Sequence, residues 1–288
     1  MKISVKTYQI HANSAKDIRI CHFSDTHFWP GYKTETLRLL VEKVKEIKPD
    51  YLCVTGDLLD QATAANMPPI LSFLDFFHQL AEHTKILAIL GNHDQTIFGH
   101  KKEMHTENQI WRKQLKEIKN FLLLENGIYE DDYIRCLGYI QNPATFKEEN
   151  QFEKEIIEDI KKVFSNVSKS SKYSILLMHS PLLISKPEVQ KELSFLQNID
   201  VILCGHTHGG LLPIPFRDNQ GLVGPYCTPF PRYAHGMVMS NPPVIIHDAI
   251  VKLSFESGFF HHFNSLFPIH INQVEILAND IEKVKVKR

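Results

Sequence analysis

The sequence repeats one local arrangement five times: a short apolar run ends in a polar cluster that contains carboxylate, imidazole or amide side chains. Stretches with the 3.6-residue spacing of amphipathic helices separate several of these runs. Alternating strands and helices favour an α/β fold, in which ligands bind beyond the carboxyl ends of the strands. We therefore expect the polar clusters to meet in space. The five apolar runs span residues 18–24, 51–55, 85–90, 173–178 and 201–204.

The rest of the pattern is consistent with one α/β domain over residues 1–288, with helices covering the faces of its sheet. No internal repeat, low-complexity tract or linker interrupts it. The predicted helices span residues 34–48, 70–82, 106–119 and 151–164, and further strands are expected near residues 121–124 and 133–139.

Charge and composition exclude several classes of protein. The 32 basic and 33 acidic residues leave a net charge of -1, which argues against a strongly basic nucleic-acid-binding surface. The chain has no run of about 18 apolar residues, and its first residues lack the apolar core of a signal peptide. The five cysteines form no Cys-x-x-Cys pair. We expect a cytoplasmic protein without a transmembrane segment, and peripheral contact with the inner face of a membrane stays open.

The polar clusters combine carboxylates, imidazoles and one amide, without a thiol. This mixture suits Mn, Fe, Zn or Co better than Ca, which prefers oxygen ligands alone. About seven side chains exceed what one tetrahedral ion needs. Two divalent transition-metal ions about 3.5–4 Å apart, with Mn favoured, would use them all if one carboxylate bridged them. The clusters are Asp25-Thr26-His27, Gly56-Asp57-Leu58-Leu59-Asp60, Gly91-Asn92-His93-Asp94, His179 and Gly205-His206-Thr207-His208.

Glycine precedes three of these clusters, at Gly56, Gly91 and Gly205. Because glycine permits backbone conformations that other residues avoid, we expect each of the three to form a tight turn that directs ligands inward.

The motifs D-x-H, GDxxD, GNHD, a lone histidine and GHTH occur in this order between Asp25 and His208, and together they resemble the calcineurin-like metallophosphoesterases. The resemblance implies a four-layer sandwich of two mixed β-sheets flanked by helices. It also implies a dinuclear metal site at the C-terminal ends of the strands.

The same resemblance implies a role for each motif residue. Asp57 would bridge the two ions, and His93 would contact the phosphate and protonate the leaving oxygen. Asp94 would orient the His93 imidazole, and Asp60 would support a metal ligand. The first ion would be held by Asp25, His27 and His208, and the second by Asn92, His179 and His206.

The activity implied is hydrolysis of a phosphodiester or pyrophosphate bond by a metal-bound hydroxide, with diesters favoured over monoesters. We expect a small-molecule or lipid-linked phosphate ester as the substrate. A nuclease acting on nucleic-acid ends is one alternative, although the neutral charge argues against nucleic acid as a partner. A non-catalytic metal-binding scaffold is another, although that hypothesis predicts missing ligands. The oligomeric state and the loaded metals are not determined by the sequence.

Several segments outside the motifs have two interpretations. The GHTHGG form resembles stand-alone bacterial phosphoesterases, and the apolar residues 211–216 after it would either seat an acyl chain or pack in the core. Residues 98–120 would form a lid or a solvated helix, and the aromatic residues 259–267 an interaction surface or a sheet cover. His22 is expected to be packed within its strand. Residues 246–249 depart from the family pattern, so no substrate role is assigned to them.

Overall fold

The computed structural model describes residues 3–12, 16–28, 34–60, 67–95, 110–251 and 268–278, with side chains 67–70 excepted. Within these ranges the strands form two six-stranded sheets. Each sheet contains both parallel and antiparallel neighbours, so both are mixed.

The first sheet has the order β1-β12-β2-β3-β4-β5. β2, β3, β4 and β5 are parallel, whereas β12 runs antiparallel to β2 and parallel to β1. The parallel core strands are apolar because both faces of the sheet are covered. The strands are β1 (Ile3–Ala12), β2 (Ile18–Phe23), β3 (Tyr51–Thr55), β4 (Lys85–Ile89), β5 (Phe121–Leu123) and β12 (Ile269–Ala278).

The second sheet has the order β10-β11-β9-β8-β7-β6. Its four central strands are parallel, and β10 and β6 pair antiparallel at the two edges. The strands are β6 (Ile128–Glu130), β7 (Ile134–Gly138), β8 (Tyr173–Leu177), β9 (Val201–Cys204), β10 (Gly236–Val238) and β11 (Val244–Ile246).

The helices follow the apolar spacing of the sequence. In the first helix, for example, Leu37, Leu40 and Val44 recur at helical spacing and are buried. None of the helices in the described ranges combines the length and apolar composition needed to cross a bilayer. The helices are α1 (Thr34–Ile47), α2 (Met67–Ala81), α3 (Asn92–Gln95), α4 (Ile110–Glu117), α5 (Glu153–Val163) and α6 (Pro187–Glu192).

Three apolar clusters define four layers. One cluster lies between the sheets and includes Ile20 and Leu87 from the first sheet and Ile175 from the second. A second joins α1, α2 and α4 to the outer face of the first sheet. The third joins α5 and α6 to the outer face of the second sheet. The prediction of two mixed sheets flanked by helices is confirmed.

The structure adds two long strands that we did not predict, β1 and β12. Their 10-residue pairing joins segments that lie 266 positions apart, from Ile3 with Ile269 to Ala12 with Ala278. The predicted helices were slightly misplaced at their ends, since α2 begins at Met67 and α5 ends at Val163. Residues 98–109 and 259–267, for which we considered a lid and an interaction surface, lie outside the described residues.

Candidate metal centre

The polar clusters follow β2, β3, β4, β8 and β9, and the loops that carry them are tied to one another by backbone hydrogen bonds. The amide of Asp25 donates to the carbonyl of Gly56 over 3.0 Å, and the amide of His27 donates to that of Asp57 over 3.0 Å. In the second sheet, Gly205 N donates to the carbonyl of His179 over 2.9 Å. Motifs that are 181 positions apart in sequence therefore meet at one edge of the sandwich.

Five of the predicted metal ligands have a left-handed backbone conformation. Such conformations are uncommon outside glycine and concentrate at functional sites, where the surrounding structure holds them. The turn geometry rotates these side chains out of the alternating pattern of the strands and toward a common point. The φ angles are 56° at Asp25, 39° at His27, 50° at Asp57, 69° at His206 and 51° at His208.

One group of possible ligands consists of Asp25, His27, Asp57 and His208, whose ligand atoms all lie within 4.8 Å of one another. Nε2 of His27 lies 3.2 Å from Nε2 of His208. Oδ1 of Asp25 lies 3.5 Å from the same His208 nitrogen and 3.9 Å from that of His27. Two imidazole nitrogens and a carboxylate oxygen therefore converge on one small volume.

A second group consists of Asp57, His179 and His206, and it shares Asp57 with the first. Nδ1 of His206 lies 3.2 Å from Nε2 of His179. Oδ2 of Asp57 lies 3.1 Å from Nε2 of His179 and 3.6 Å from Nε2 of His27. A single carboxylate oxygen thus faces both groups, as a bridging ligand requires.

The possible metal ligands other than His208 are buried, and the pKa values of two of the imidazoles favour the neutral form. Burial, followed by the neighbouring imidazole of His93, holds the pKa of His27 well below its usual value. Burial and the neighbouring His179 act in the same direction on the pKa of His206. Neutral imidazoles are the form that binds metal ions.

The pKa values of the two carboxylates are shifted in opposite directions. Burial raises the pKa of Asp25. Burial would also raise the pKa of Asp57, but the neighbouring imidazoles of His179 and His93 hold that pKa well below its usual range. The charge of Asp57 in turn outweighs the effect of burial on His179 and raises the pKa of that imidazole to about 9. Asp57 and His179 thus stabilise each other's charged forms.

The donor set fits two transition-metal ions. Four imidazole nitrogens and two carboxylates form two overlapping groups around the shared Asp57, and all but His208 are fully buried. Imidazole with carboxylate ligation is typical of Mn, Fe, Zn and Co sites. The amide of Asn92 is also buried, at the start of α3 beside Gly91. Which residue binds which ion stays a prediction.

The α3 turn places His93 next to the shared carboxylate. The backbone amide of His93 donates to Oδ1 of Asp57 over 2.8 Å, and its ring contacts the His27 ring edge-on at 4.6 Å between centroids. The ring nitrogen Nδ1 of His93 is buried and has no hydrogen-bond partner in the described part of the chain. The imidazole is therefore available to a group that binds at the centre.

The Asp94 carboxylate is held by backbone amides. It accepts hydrogen bonds from Leu58, Leu59 and Gly91 over 2.9, 3.0 and 2.9 Å. Asp94 thus joins the GDxxD and GNHD loops, and its orientation of the His93 imidazole stays a prediction. Asp60 is buried, and its amide donates to the carbonyl of Phe28 over 3.0 Å.

The three glycines before the clusters serve two purposes. Only Gly56 has a left-handed conformation, with a φ of 89°. At Gly91 a Cβ atom would lie 2.2 Å from Oδ1 of Asp57, and at Gly205 it would lie 1.9 Å from Oγ of Ser24. Our expectation of a special turn is therefore right for Gly56, whereas the other two provide space for the ligand loops.

Buried hydrogen bonds that involve Thr55 fix the orientation of the His179 imidazole. Its Nδ1 lies 2.6 Å from the carbonyl oxygen of Thr55, so the proton on Nδ1 is donated and Nε2 is left for the metal side. The hydroxyl of Thr55 lies 2.9 Å from Nε2 of His22, which is fully buried. The expectation that His22 is packed within its strand is confirmed.

Two aromatic residues at the centre were missed by sequence reasoning. The buried Phe146 packs against the rings of His179 and His206, with centroid distances of 5.6 and 5.1 Å. Tyr226 packs against His206 at 6.2 Å and is half-exposed. Both lie in short irregular segments, and no periodicity or motif in those segments indicates that they reach the site.

Residues 246–249, which depart from the family pattern, begin at the end of β11 and carry two polar side chains with contacts to the first sheet. Nε2 of His247 lies 3.0 Å from the carbonyl oxygen of His270, and Asp248 forms an ion pair with Lys6. These contacts connect the end of β11 to β12 and β1.

The fold and the site together define an α/β sandwich with a candidate dinuclear metal centre at one edge. The family model of the calcineurin-like phosphoesterases matches residues 18–210, which include all five motifs. The chain belongs to this family.

The chain is similar to bacterial metallophosphoesterases at low sequence identity. The chain is 28% identical over 200 residues to an uncharacterized metallophosphoesterase of Aquifex aeolicus, and 25% identical over 219 residues to the uncharacterized metallophosphoesterase YkuE of Bacillus subtilis. These matches cover 68% and 73% of the chain but only 65% and 63% of the relatives, so the chain spans less than two thirds of either one. A dimetal phosphatase from Danio rerio shares 10% identity, with a TM-score of 0.43 over 67% of this chain and 82% of that one.

Proposed function

We propose that the protein is a dinuclear metal-dependent phosphoesterase that hydrolyses a phosphodiester or pyrophosphate bond. The observation that carries this proposal is the position of Asp57, whose Oδ2 faces both groups of possible ligands. Family membership agrees with a phosphate ester as the substrate. A scaffold that had lost catalysis would not need to keep both ligand groups complete.

The predicted ligands form two sets, one for each ion. Asp25, His27 and His208 would hold one ion, and Asn92, His179 and His206 the other, with Asp57 between them. When bound, two such ions stabilise charge on phosphoryl oxygens and acidify water.

His93 would act at the leaving group. Its ring contacts the ring of His27 beside the ligands, and its Nδ1 is buried without a partner among the described residues. The leaving oxygen of the ester gains negative charge as its bond to phosphorus breaks. A protonated imidazole placed beside this oxygen can donate a proton to it.

The proposal is tested by loading the metal-stripped protein with Mn, Fe, Zn or Co and comparing bis-p-nitrophenyl phosphate with p-nitrophenyl phosphate. We expect hydrolysis in at least one metal form, with Mn favoured, and a higher kcat/KM for the diester. A strong preference for the monoester would overturn the diester assignment. Inactivity with all four metals on both esters and on a pyrophosphate would favour the scaffold.

The variant Asp57→Asn tests the bridge. Removal of one anionic oxygen is expected to abolish turnover and to reduce the bound metal below that of the parent, as measured by elemental analysis. The matched control is Asp75→Asn, since Asp75 is an exposed carboxylate on α2. Full activity and metal content in Asp57→Asn would contradict the dinuclear assignment.

We further propose that the ester carries an apolar group, as a lipid-linked substrate does. The segment after GHTHGG, which we name the return loop (residues 211–233), begins directly at the metal centre. It exposes four apolar side chains besides Tyr226, a larger share than solubility favours. They are Leu212, Phe216, Leu222 and Phe230.

The return loop also carries two exposed cations, Arg217 and Arg232, and one acidic residue, Asp218. Apolar side chains beside cations suit a substrate with an acyl chain next to a phosphate. The alternative that residues 211–216 pack in the core is not supported at Leu212 and Phe216, whose side chains are exposed.

The test compares a water-soluble diester with an acylated diester in mixed micelles. Phe216→Ser is expected to raise KM for the acylated ester several-fold and to leave hydrolysis of the soluble ester unchanged. Met239→Ser is the control, since Met239 is an exposed apolar residue outside the loop. Equal kinetics of both variants on the acylated ester would argue for a soluble substrate.

A further inference from the structure

The return loop is hydrogen-bonded to the GHTHGG motif at its middle and just beyond its end. At its middle, the amides of Leu222 and Val223 donate to the carbonyl of Gly210 over 2.9 and 3.1 Å. Just beyond its end, the carbonyl of Ala234 accepts a 2.6 Å hydrogen bond from the Thr207 hydroxyl. Thr207 lies between two predicted ligands, so the loop leaves the metal centre and is brought back to it.

Gly210 permits this return. Its φ is 61°, and its backbone lies so close to Gly221 that a Cβ on Gly210 would be 2.3 Å from the Cα of Gly221. Within the loop, the amide of Phe230 donates to the carbonyl of Leu222 over 3.0 Å, and the amide of Gly224 donates to that of Thr228 over 2.8 Å. The loop therefore has a defined conformation of its own.

Within the return loop, a strained turn places Tyr226 against His206. Tyr226 and Cys227 both have left-handed backbones, with φ of 56° and 58°, and the Thr228 hydroxyl closes the turn by donating to the carbonyl of Pro225 over 2.7 Å. Two successive non-glycine residues in this conformation are unusual, and such strain concentrates at functional sites. Its result is the contact between the Tyr226 ring and His206.

Phe146 also packs against His206 and is buried, whereas Tyr226 is half-exposed. Of these two aromatic residues, only Tyr226 is accessible to a ligand. A phenol is protonated at neutral pH, so the Tyr226 hydroxyl can donate a hydrogen bond.

We infer that Tyr226 is a substrate-contacting residue whose hydroxyl donates a hydrogen bond to a phosphoryl oxygen at the metal centre. This inference rests on the proposed function for its substrate class. It assigns a role to the return loop, which places a hydrogen-bond donor beside His206. The strand-end motifs place His93 beside His27.

The test uses the full chain with Mn bound, and compares Tyr226→Phe with Tyr226→Ala. The control is Tyr133→Phe, since Tyr133 is an exposed tyrosine on the turn before β7. Two quantities are measured: the Kd of inorganic phosphate by calorimetry and kcat/KM for bis-p-nitrophenyl phosphate. Metal content and Tm are measured on each variant.

We expect Tyr226→Phe to weaken phosphate binding and to lower kcat/KM, each about tenfold, as for loss of one hydrogen bond to a charged group. Metal content and Tm should stay at the parent values, and Tyr133→Phe should match the parent throughout. Phosphate affinity and kcat/KM of Tyr226→Phe within twofold of the parent would overturn the inference. So would impairment of Tyr226→Ala alone, because ring packing on His206 would then explain it.

The phosphate measurement separates this inference from the proposed function. If the parent hydrolyses no ester but binds phosphate about tenfold more tightly than Tyr226→Phe, the proposed function fails and the role of Tyr226 stands. If the parent is active and the two proteins are equal in both measurements, the function stands and the role of Tyr226 fails.

Discussion

At the scale of single residues, the candidate centre encloses two carboxylates that are almost completely removed from solvent, Asp25 and Asp57. Buried charge is costly unless it is paired and hydrogen-bonded. The chain supplies part of this compensation from its backbone, because the amides of His206 and His93 donate to Asp25 and Asp57, respectively. Divalent cations would supply the rest, so we expect metal binding to stabilise the fold.

His93 gives a prediction at this scale. The variant His93→Ala keeps the backbone amide that supports Asp57 but removes the imidazole. We expect kcat for an alkyl phosphodiester to fall about 10²–10⁴-fold, because an alkoxide leaves slowly without a proton. Hydrolysis of a p-nitrophenyl ester should fall less, since its leaving group is a weak base.

Metal content measured by elemental analysis should be unchanged in His93→Ala. His78→Ala is the control, since His78 is exposed on α2. Full activity of His93→Ala on the alkyl ester would show that His93 is not the general acid.

At the scale of elements, the helices and the core strands follow local patterns, while the site depends on the loops that connect them. Strands β2, β3, β4, β8 and β9 were predictable because each is a continuous apolar run followed by a polar cluster. The strand pair β1 and β12 was not, because half-buried strands have a weaker pattern and the pairing joins segments far apart in sequence. The return loop has no periodicity at all.

Gly210 gives a prediction at the scale of elements. In Gly210→Ala the new Cβ would overlap the Cα of Gly221, and a left-handed alanine costs about 1–2 kcal/mol in addition. We expect a free energy of unfolding at least about 1 kcal/mol lower than the parent's in urea titrations, together with reduced kcat/KM because the loop is displaced.

The matched control for this prediction is Gly127→Ala. The nearest atom to a Cβ at Gly127 lies 4.0 Å away, so alanine fits there. We expect Gly127→Ala to be neutral or slightly stabilising. Equal stability of the two variants would show that the return loop accommodates a side chain at Gly210.

At the scale of the whole molecule, the two sheets are joined by the apolar layer between them and by polar contacts that include Asp131. Asp131, on the turn between β6 and β7, accepts hydrogen bonds from the hydroxyl of Tyr129 over 2.7 Å and from that of Tyr51 over 2.8 Å. Tyr51 belongs to β3, so this contact crosses from one sheet to the other. The amides of Tyr133 and Ile134 donate to the same carboxylate over 2.9 and 3.0 Å.

This contact makes stability depend on pH. Partial burial would raise the pKa of Asp131, but the Ile134 amide and the other three donors lower it to about 2. A lowered pKa stabilises the fold fully above the unfolded value near 3.9, and the contribution disappears as the pH falls toward 2. We expect Asp131→Asn to lower the free energy of unfolding at pH 7 by about 1–2 kcal/mol.

The difference between the parent and Asp131→Asn should shrink between pH 4 and pH 2. Urea unfolding of metal-stripped protein measures it, so that loss of metal in acid does not contribute. Asp132→Asn is the control, since Asp132 is the exposed neighbour on the same turn. A difference that is the same at pH 7 and pH 2.5 would assign the effect to something other than the ionised carboxylate.

The sequence by itself determined the chemistry and the layers. Continuous apolar runs predict buried strands, helical spacing predicts the covering helices, and the polar clusters predict which side chains lie at the strand ends. These are local properties, since each depends on residues within one strand, helix or turn. The four-layer α/β fold was predictable from them together with the family resemblance.

Only the tertiary structure decided which groups share a position. It placed Oδ2 of Asp57 between His27 and His179, turned Asp94 toward three backbone amides, inserted β12 between β1 and β2, and brought Tyr226 onto His206. The physical reason is that these contacts join residues far apart along the chain. Their geometry depends on strand order, register and the packing of loops, none of which leaves a periodic signal in the sequence.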